Sequence, residues 1–125
     1  MSIEAKLCLQ LRVITPSGKE RLREFTDLPV TIGRGQDCTI CLEEDPNVSR
    51  HHAEIYSYAN DIFVRDCRSL NGVRLNGEVV IDAAISPGDC ITIGDSEIQV
   101  LNCSMTEEIN PKGEREVLVR PEGTG

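Results

Sequence analysis

The stretch NVSRHHAEI, Asn47–Ile55, places a serine, an arginine and both histidines of the chain side by side. A serine next to a histidine is typical of acyl transfer, and a histidine pair is typical of a metal site. A serine next to an arginine is typical of an anion clamp. The three chemistries need different partner residues, so the rest of the sequence decides between them.

A serine hydrolase needs a histidine base and an orienting carboxylate beside its nucleophile. Ser49, either histidine and Asp66 supply these residue types. However, the chain has no Gly-x-Ser-x-Gly turn to expose the serine. Adjacent residues of a strand also face opposite sides, so histidines in a strand that starts near His52 do not work as a pair. We therefore expect no catalytic residues and no enzymatic activity.

Cofactor binding also finds little support in the sequence. A zinc site would combine Cys38 and Cys41 with the histidines, but positions i and i+3 of a strand lie on opposite faces. The stretch GRGQD lacks the Gly-x-Gly-x-x-Gly spacing, a following helix and the lysine of a P-loop. We expect no metal, no nucleotide and no other cofactor.

Length and charge limit the class of protein and its partners. The 125 residues suit a single domain, and the formal net charge is −8. A nucleic-acid binder presents a basic face, so we expect no direct nucleic-acid binding. The N-terminus has no basic segment before a long apolar run, which predicts a cytoplasmic protein without membrane contact. The six cysteines are then free thiols, with Cys8 and Cys90 predicted as core residues because they lie in apolar runs.

Short strands separated by turn sequences predict the fold class. Alternating apolar residues mark the first strand, at Leu7, Leu9, Leu11 and Val13. Turn sequences such as TPSG and SPGD follow at short intervals, and no helical period occurs. Two Asn-Gly pairs, 71–72 and 76–77, predict hairpins around a very short strand. The pattern favours an all-β fold, an antiparallel sandwich or barrel.

A change in composition predicts the domain boundary. From Ser104 onward the sequence is polar and contains two prolines and three glycines. Such composition is typical of a linker. We therefore expect a β-sandwich domain over 1–103 and a polar linker or disordered tail over 104–125.

Polar residues follow or precede predicted strands in three irregular segments. Arg34 lies between two glycines after a strand, and Ser49 and Arg50 directly precede one. Ser69 and Asn71 lie in a tight turn after another strand. In a sandwich such loops gather at one end of the domain, where a rigid scaffold positions binding residues.

The order and spacing of these motifs resemble the forkhead-associated (FHA) domain family. The resemblance is carried by Gly33-Arg34, Ser49-Arg50-x-His52, Ser69-x-Asn71-Gly72, Asn76-Gly77 and the late stretch GDCITIG. It covers roughly Leu7 to Leu101. It implies an FHA/SMAD-like antiparallel β-sandwich of about eleven strands, with binding loops at one end. It also implies a phosphothreonine-dependent peptide-binding module in Ser/Thr kinase signalling.

The resemblance implies a role for each motif residue. Arg34 and Arg50 would contact the phosphate, and Ser49 would donate its hydroxyl and its backbone N–H to the same oxygens. This suits a phosphomonoester, which carries a charge of about −1.5 to −2 and three acceptor oxygens. The planar guanidinium group of arginine presents its N–H donors in a fixed geometry that matches the oxygens of a phosphate.

Further residues are implied to fix the peptide or to support the site. Asn71 would bond the peptide main chain, Leu70 would line a pocket for the threonine methyl, and Asn47 would contact the third residue after the phosphothreonine. The implied structural supports are Gly33, His52, Ser69, Gly72 and Asn76. His52 would be buried and would brace the Ser49 loop, whereas His51 would be exposed and without a role.

The implied partner is a phosphothreonine-containing protein of a Ser/Thr kinase pathway, or a phosphorylated segment of the same parent chain. The alternative is a phospho-independent assembly domain that uses an exposed sheet face. The acidic stretch EEDP, which includes Glu43, Glu44 and Asp45, is expected to disfavour acidic residues at one end of the peptide.

Overall fold

The computed structural model describes residues 2–110, and all regular structure in that part of the chain is β-strand. Within the same range no helix is long and apolar enough to cross a membrane. The strands in chain order are β1 (Ser2–Ile14), β2 (Glu20–Phe25), β3 (Val30–Gly33), β4 (Ile40–Cys41), β5 (Ala53–Tyr58), β6 (Asp61–Asp66), β7 (Val73–Leu75), β8 (Glu78–Val80), β9 (Asp82–Ala84), β10 (Cys90–Ile93) and β11 (Ser96–Asn110).

The strands form two sheets that pack face to face. One sheet has the order β2-β1-β11-β10-β7-β8 and the other β4-β3-β5-β6-β9. Every pair is antiparallel except β3 with β4, which run parallel. The predicted sandwich of about eleven strands is confirmed. β9 was not predicted because its sequence, Asp-Ala-Ala, lacks β-branched and aromatic residues, and it forms as a ladder partner of β6.

Aliphatic side chains from both sheets fill the core. The fully enclosed ones are Leu9, Leu11, Ile32, Ile55, Val64, Val73, Ile91, Ile93 and Ile98. All six cysteines are free thiols. The prediction that Cys8 is a core residue is wrong, because it alternates with buried Leu7 and Leu9 and so faces outward. Cys90 is partly buried.

Only the second Asn-Gly pair forms a hairpin turn. Asn76 and Gly77 have φ of 52° and 88°, the positive values of a type I′ turn, and they join the paired strands β7 and β8. Asn71 and Gly72 instead lead from β6 in one sheet to β7 in the other. The hairpin predicted there is therefore wrong, because the flanking strands are not neighbours.

The last strand extends beyond Cys103, the residue at which we expected the domain to end. Ser104 to Asn110 pair with Cys8 to Ser2 of β1 in an antiparallel ladder. A long partner strand supplies backbone hydrogen bonds, so a polar composition does not prevent pairing there. Residues 111–125 lie outside the described part of the chain, and their assignment as a linker stays a prediction.

Candidate functional site

Three loops meet at one end of the sandwich. The first loop is 34–39, the second is 42–52 and the third is 67–72. The backbone N–H groups of Arg34 and Gly35 donate to the carbonyls of Ser49 and Arg50, at 2.9 and 3.0 Å. The N–H of Leu70 donates to the Ser49 hydroxyl at 3.0 Å. Direct hydrogen bonds thus join the second loop to both of the others, so the predicted motif segments lie together.

Arg34 and Arg50 line one open cleft together with Gly35 and Gln36, which we call the arginine cleft. The Nε of Arg34 donates to the carbonyl of Val48 at 2.8 Å, which orients its guanidinium and leaves the two terminal nitrogens free. Among the described residues, no hydrogen bond or ion pair engages the Arg50 guanidinium. The cleft therefore holds two cationic groups with unused donors, which is the requirement for binding an anion.

The Ser49 hydroxyl has a proton to offer a ligand. Its oxygen accepts the N–H of Leu70, and the described part of the chain supplies no acceptor for its own hydrogen. The backbone N–H of Ser49 is already used, because it donates to Nδ1 of His52 at 3.0 Å. The expected contact of this N–H with a phosphate is therefore not available without breaking that bond, whereas the hydroxyl contact is.

His52 is fully buried and bonds to the backbone of the other segments. Because a backbone N–H can only donate, Nδ1 accepts from Ser49, and the neutral ring carries its proton on Nε2. Nε2 then donates to the carbonyl of Gly72 at 2.7 Å. The His52 N–H donates to Ile32, and its carbonyl accepts from Cys67. This geometry supports the bracing role that the resemblance implies.

Asn71 and Asn47, which do not line the arginine cleft, are joined by a hydrogen bond. Nδ2 of Asn71 donates to the Asn47 carbonyl at 2.9 Å, and Nδ2 of Asn47 donates to Oδ2 of Asp95 at 2.7 Å. A second cleft, the asparagine cleft, is lined by Asn47, Asn71, Gly72, Arg74, Thr92, Gly94 and Asp95. The side-chain oxygen of Asn71 has no donor among the described residues and can accept a hydrogen bond from a ligand.

The Leu70 side chain is 88% exposed and lines neither cleft. Its backbone N–H, not its side chain, makes the contact with Ser49. The predicted contact with a threonine methyl stays a prediction.

The remaining support residues divide into two groups. The Ser69 hydroxyl accepts the N–H of Gly72 at 2.9 Å and so closes the third loop, in which Gly72 has a φ of 82°. Asn76 lies at the other end of β7. Its side chain donates to Asp89 and accepts from the N–H of Cys90, so it holds the β7–β8 turn to β10 and not to the site.

Gly33 is required by a close approach of two backbones. A Cβ at this position would overlap the carbonyl oxygen of Arg50 and lie 2.9 Å from Sγ of Cys38. The absence of a side chain at Gly33 therefore lets the second loop cross the end of β3, which brings Arg50 next to Arg34.

Asp45, which the acidic stretch EEDP led us to expect beside the peptide, supports the second loop instead. It is fully buried, and its carboxylate accepts the N–H groups of Asn47 and Asp95 and the hydroxyl of Ser96, at 3.0, 2.8 and 2.7 Å. Of the three acidic residues in the stretch, only Glu43 and Glu44 are exposed. The Asp-Pro-Asn sequence was the available signal, because Asp before such a turn bonds the backbone two residues on.

Comparison with known proteins identifies the family of this fold and site. The family model described as the FHA domain matches residues 30–94. The glycogen accumulation regulator GarA of Mycolicibacterium smegmatis is 41% identical over 73 residues, which cover 58% of this chain and 46% of GarA. The match covers less than half the length of each of three curated relatives, GarA among them, between 8% and 46%.

Two solved structures cover nearly all of their own chain when superposed on this one. The FhaA FHA domain, crystallised in complex with the intracellular domain of Rv3910, is 35% identical with a TM-score of 0.65, covering 74% of this chain and 98% of its own. A structure from work on phosphothreonine-dependent FHA domain interactions is 33% identical with a TM-score of 0.64, covering 74% and 95%. The chain belongs to the FHA domain family.

Proposed function

We propose that this FHA domain binds a phosphothreonine-containing protein segment, and that the arginine cleft receives the phosphate. The observation that carries the proposal is the shared position of Arg34 and Arg50 in one cleft with unused donors. A phosphomonoester brings three acceptor oxygens and a charge of about −1.5 to −2. Two guanidinium groups and the Ser49 hydroxyl supply matching donors on that surface.

The strength of binding then depends mainly on charge-assisted hydrogen bonds. Each such bond contributes about 1.5–3 kcal/mol. The guanidinium of Arg34 is oriented in advance by its bond to Val48, which lowers the entropy that it loses on binding. An unphosphorylated threonine offers none of these bonds, so phosphorylation works as the switch.

The asparagine cleft accepts the residues next to the phosphothreonine. The free side-chain oxygen of Asn71 accepts a backbone N–H of the peptide and sets its direction. Beyond it, Asn47, Arg74 and Asp95 present polar groups to the flanking side chains. Leu70 contacts the threonine methyl, which its exposed side chain can reach on binding.

The partner is a protein modified by a Ser/Thr kinase, or a phosphorylated segment of the same parent chain. One similar solved structure comes from work on phosphothreonine-dependent interactions, which supports this class of partner. Six free thiols support a reducing, cytoplasmic location. A formal net charge of −8 disfavours nucleic acid, and the domain acts by binding and not by catalysis.

A phospho-independent assembly domain is the second candidate. Val79 and Ile81 favour it, because they are 66% and 78% exposed next to the free edges of the two sheets. Titration with matched phosphorylated and unphosphorylated peptides, selected from a phosphothreonine-oriented library, separates the two functions. We expect binding of the phosphorylated peptide alone, whereas equal binding of both peptides would favour assembly.

A further inference from the structure

Three side chains of different chemistry cluster beside the arginine cleft. Asp37 and Cys38 lie in the first loop, and His51 lies in the second. Oδ2 of Asp37 is 2.9 Å from Nε2 of His51. One carboxylate oxygen, one ring nitrogen and the Cys38 sulfur all lie within 4.8 Å of one another. The cluster therefore bridges the two loops that carry Arg34 and Arg50.

Against the expectation from the sequence that the chain binds no metal, we propose that Asp37, Cys38 and His51 form a Zn²⁺ site with water as the fourth ligand. A thiolate, an imidazole and a carboxylate are the ligand types that zinc takes, and three protein ligands leave one position open. Tetrahedral zinc, at about 2.0–2.3 Å from each ligand, needs donor atoms about 3.3–3.8 Å apart. The cluster closes to this size by small rotations of Asp37 and His51, both of which are exposed.

The two acidic ligands differ in how readily they ionise for metal binding. The hydrogen bond from His51 lowers the pKa of Asp37, so this carboxylate is ionised at neutral pH. Burial raises the pKa of the Cys38 thiol, which must lose its proton to bind zinc. Coordination to zinc removes the proton of a thiol, because the metal–sulfur bond offsets the free energy needed to deprotonate it.

Coordination leaves no backbone group unpaired. The Cys38 thiol donates to the carbonyl of Arg50 at 3.3 Å, and this weak bond is lost when the thiolate forms. The same carbonyl still accepts the N–H of Gly35 at 3.0 Å. The exposed pair of His51 with Asp37 contributes little stability by itself, so zinc replaces it at small cost.

The other histidine and the neighbouring cysteine do not belong to the site. Both ring nitrogens of His52 are engaged, by Ser49 and by Gly72. Cys41 is exposed, and its sulfur lies 3.7 Å from the carbonyl of Arg34, outside the cluster. Cys41→Ser is therefore a matched control for Cys38→Ser.

Cobalt and zinc titrations of the metal-free chain, in a non-thiol reductant, test the site without any phosphopeptide. We expect Co²⁺ to give a thiolate charge-transfer band and Zn²⁺ to bind with one-to-one stoichiometry by calorimetry. Cys38→Ser should remove the band and Cys41→Ser should keep it. His51→Asn and Asp37→Asn, at exposed positions that tolerate substitution, should each weaken zinc binding at least about tenfold.

Three results would overturn the site: no stoichiometric zinc binding by the wild-type chain, a band that survives Cys38→Ser, or unchanged zinc affinity in either His51→Asn or Asp37→Asn. Circular dichroism of each variant shows whether a loss reflects unfolding. Since no phosphopeptide is present, failure here leaves the proposed function untouched.

Discussion

The imidazole of His52 accepts the backbone N–H of Ser49 at 3.0 Å, which makes a buried side chain the direct support of a surface loop. Through its other nitrogen the same ring holds Gly72. The serine and the third loop are thus positioned by one residue that does not reach the arginine cleft. Binding and stability are therefore separable in this domain by substitution.

His52→Ala should lower the free energy of unfolding by about 2–4 kcal/mol, because it removes two part-buried hydrogen bonds of a buried ring and leaves a cavity. His51→Ala, in the exposed neighbour, should change it by less than about 0.5 kcal/mol. Urea denaturation of the two variants measures both changes in the free energy of unfolding. Equal stability of the two variants would contradict the bracing role.

Arg50→Ala should weaken phosphopeptide binding by about tenfold to a hundredfold, since it removes one or more charge-assisted bonds worth about 1.5–3 kcal/mol each. Its melting temperature should stay unchanged, because no protein group bonds the Arg50 guanidinium within residues 2–110. Arg50→Lys keeps the positive charge but loses the planar guanidinium with its paired N–H donors. Its affinity for the phosphopeptide should therefore lie between those of the wild type and of Arg50→Ala. Calorimetric titration gives the affinities, and wild-type affinity in Arg50→Ala would mean that the site is misplaced.

Asp45→Ala should destabilise the fold by about 3 kcal/mol or more, because it leaves two backbone N–H groups and the Ser96 hydroxyl without an acceptor. Glu43→Ala, two residues earlier and exposed, is the matched control and should be near neutral. Thermal unfolding compares the two variants. A neutral Asp45→Ala would show that the buried carboxylate does not hold the β10–β11 turn.

Gly33→Ala should destabilise the domain strongly, by about 3 kcal/mol or more, because its Cβ overlaps backbone atoms of Arg50. Gly35→Ala is the comparison, since its two nearest contacts, at 2.7 and 3.0 Å, are side-chain atoms of Asp37 and Arg50 that can move. We expect a smaller loss there. Chemical denaturation measures the stability of both variants, and a fully stable Gly33→Ala would contradict the close crossing of the second loop over the end of β3.

The convergence of the binding loops was predictable from local signals. Arg34, Ser49 and Asn71 each lie at a strand end next to glycine or turn residues, and a sandwich brings such ends together. The alternation of apolar residues likewise predicted the core, since it depends on the pleat of each strand alone.

Features that depend on distant pairing were not predictable. The local sequence around Asp45 indicates an exposed acid. The groups that bond its carboxylate belong to the turn that contains Asp95 and Ser96, about fifty positions later in the chain. The assignment of a hairpin to Asn71-Gly72 failed because sheet membership of the flanking strands is a property of the whole fold. Ser104–Asn110 forms a strand only because β1 continues to Ser2.

The position of Arg34 and Arg50 in one cleft predicts that they bind one phosphate group together. The difference in affinity between matched phosphorylated and unphosphorylated peptides tests this prediction when it is measured on the wild-type chain and on the Arg34→Ala/Arg50→Ala double variant. We predict a large difference for the wild type and none for the folded double variant. A difference that persists in the double variant would show that the two arginines do not recognise the phosphate.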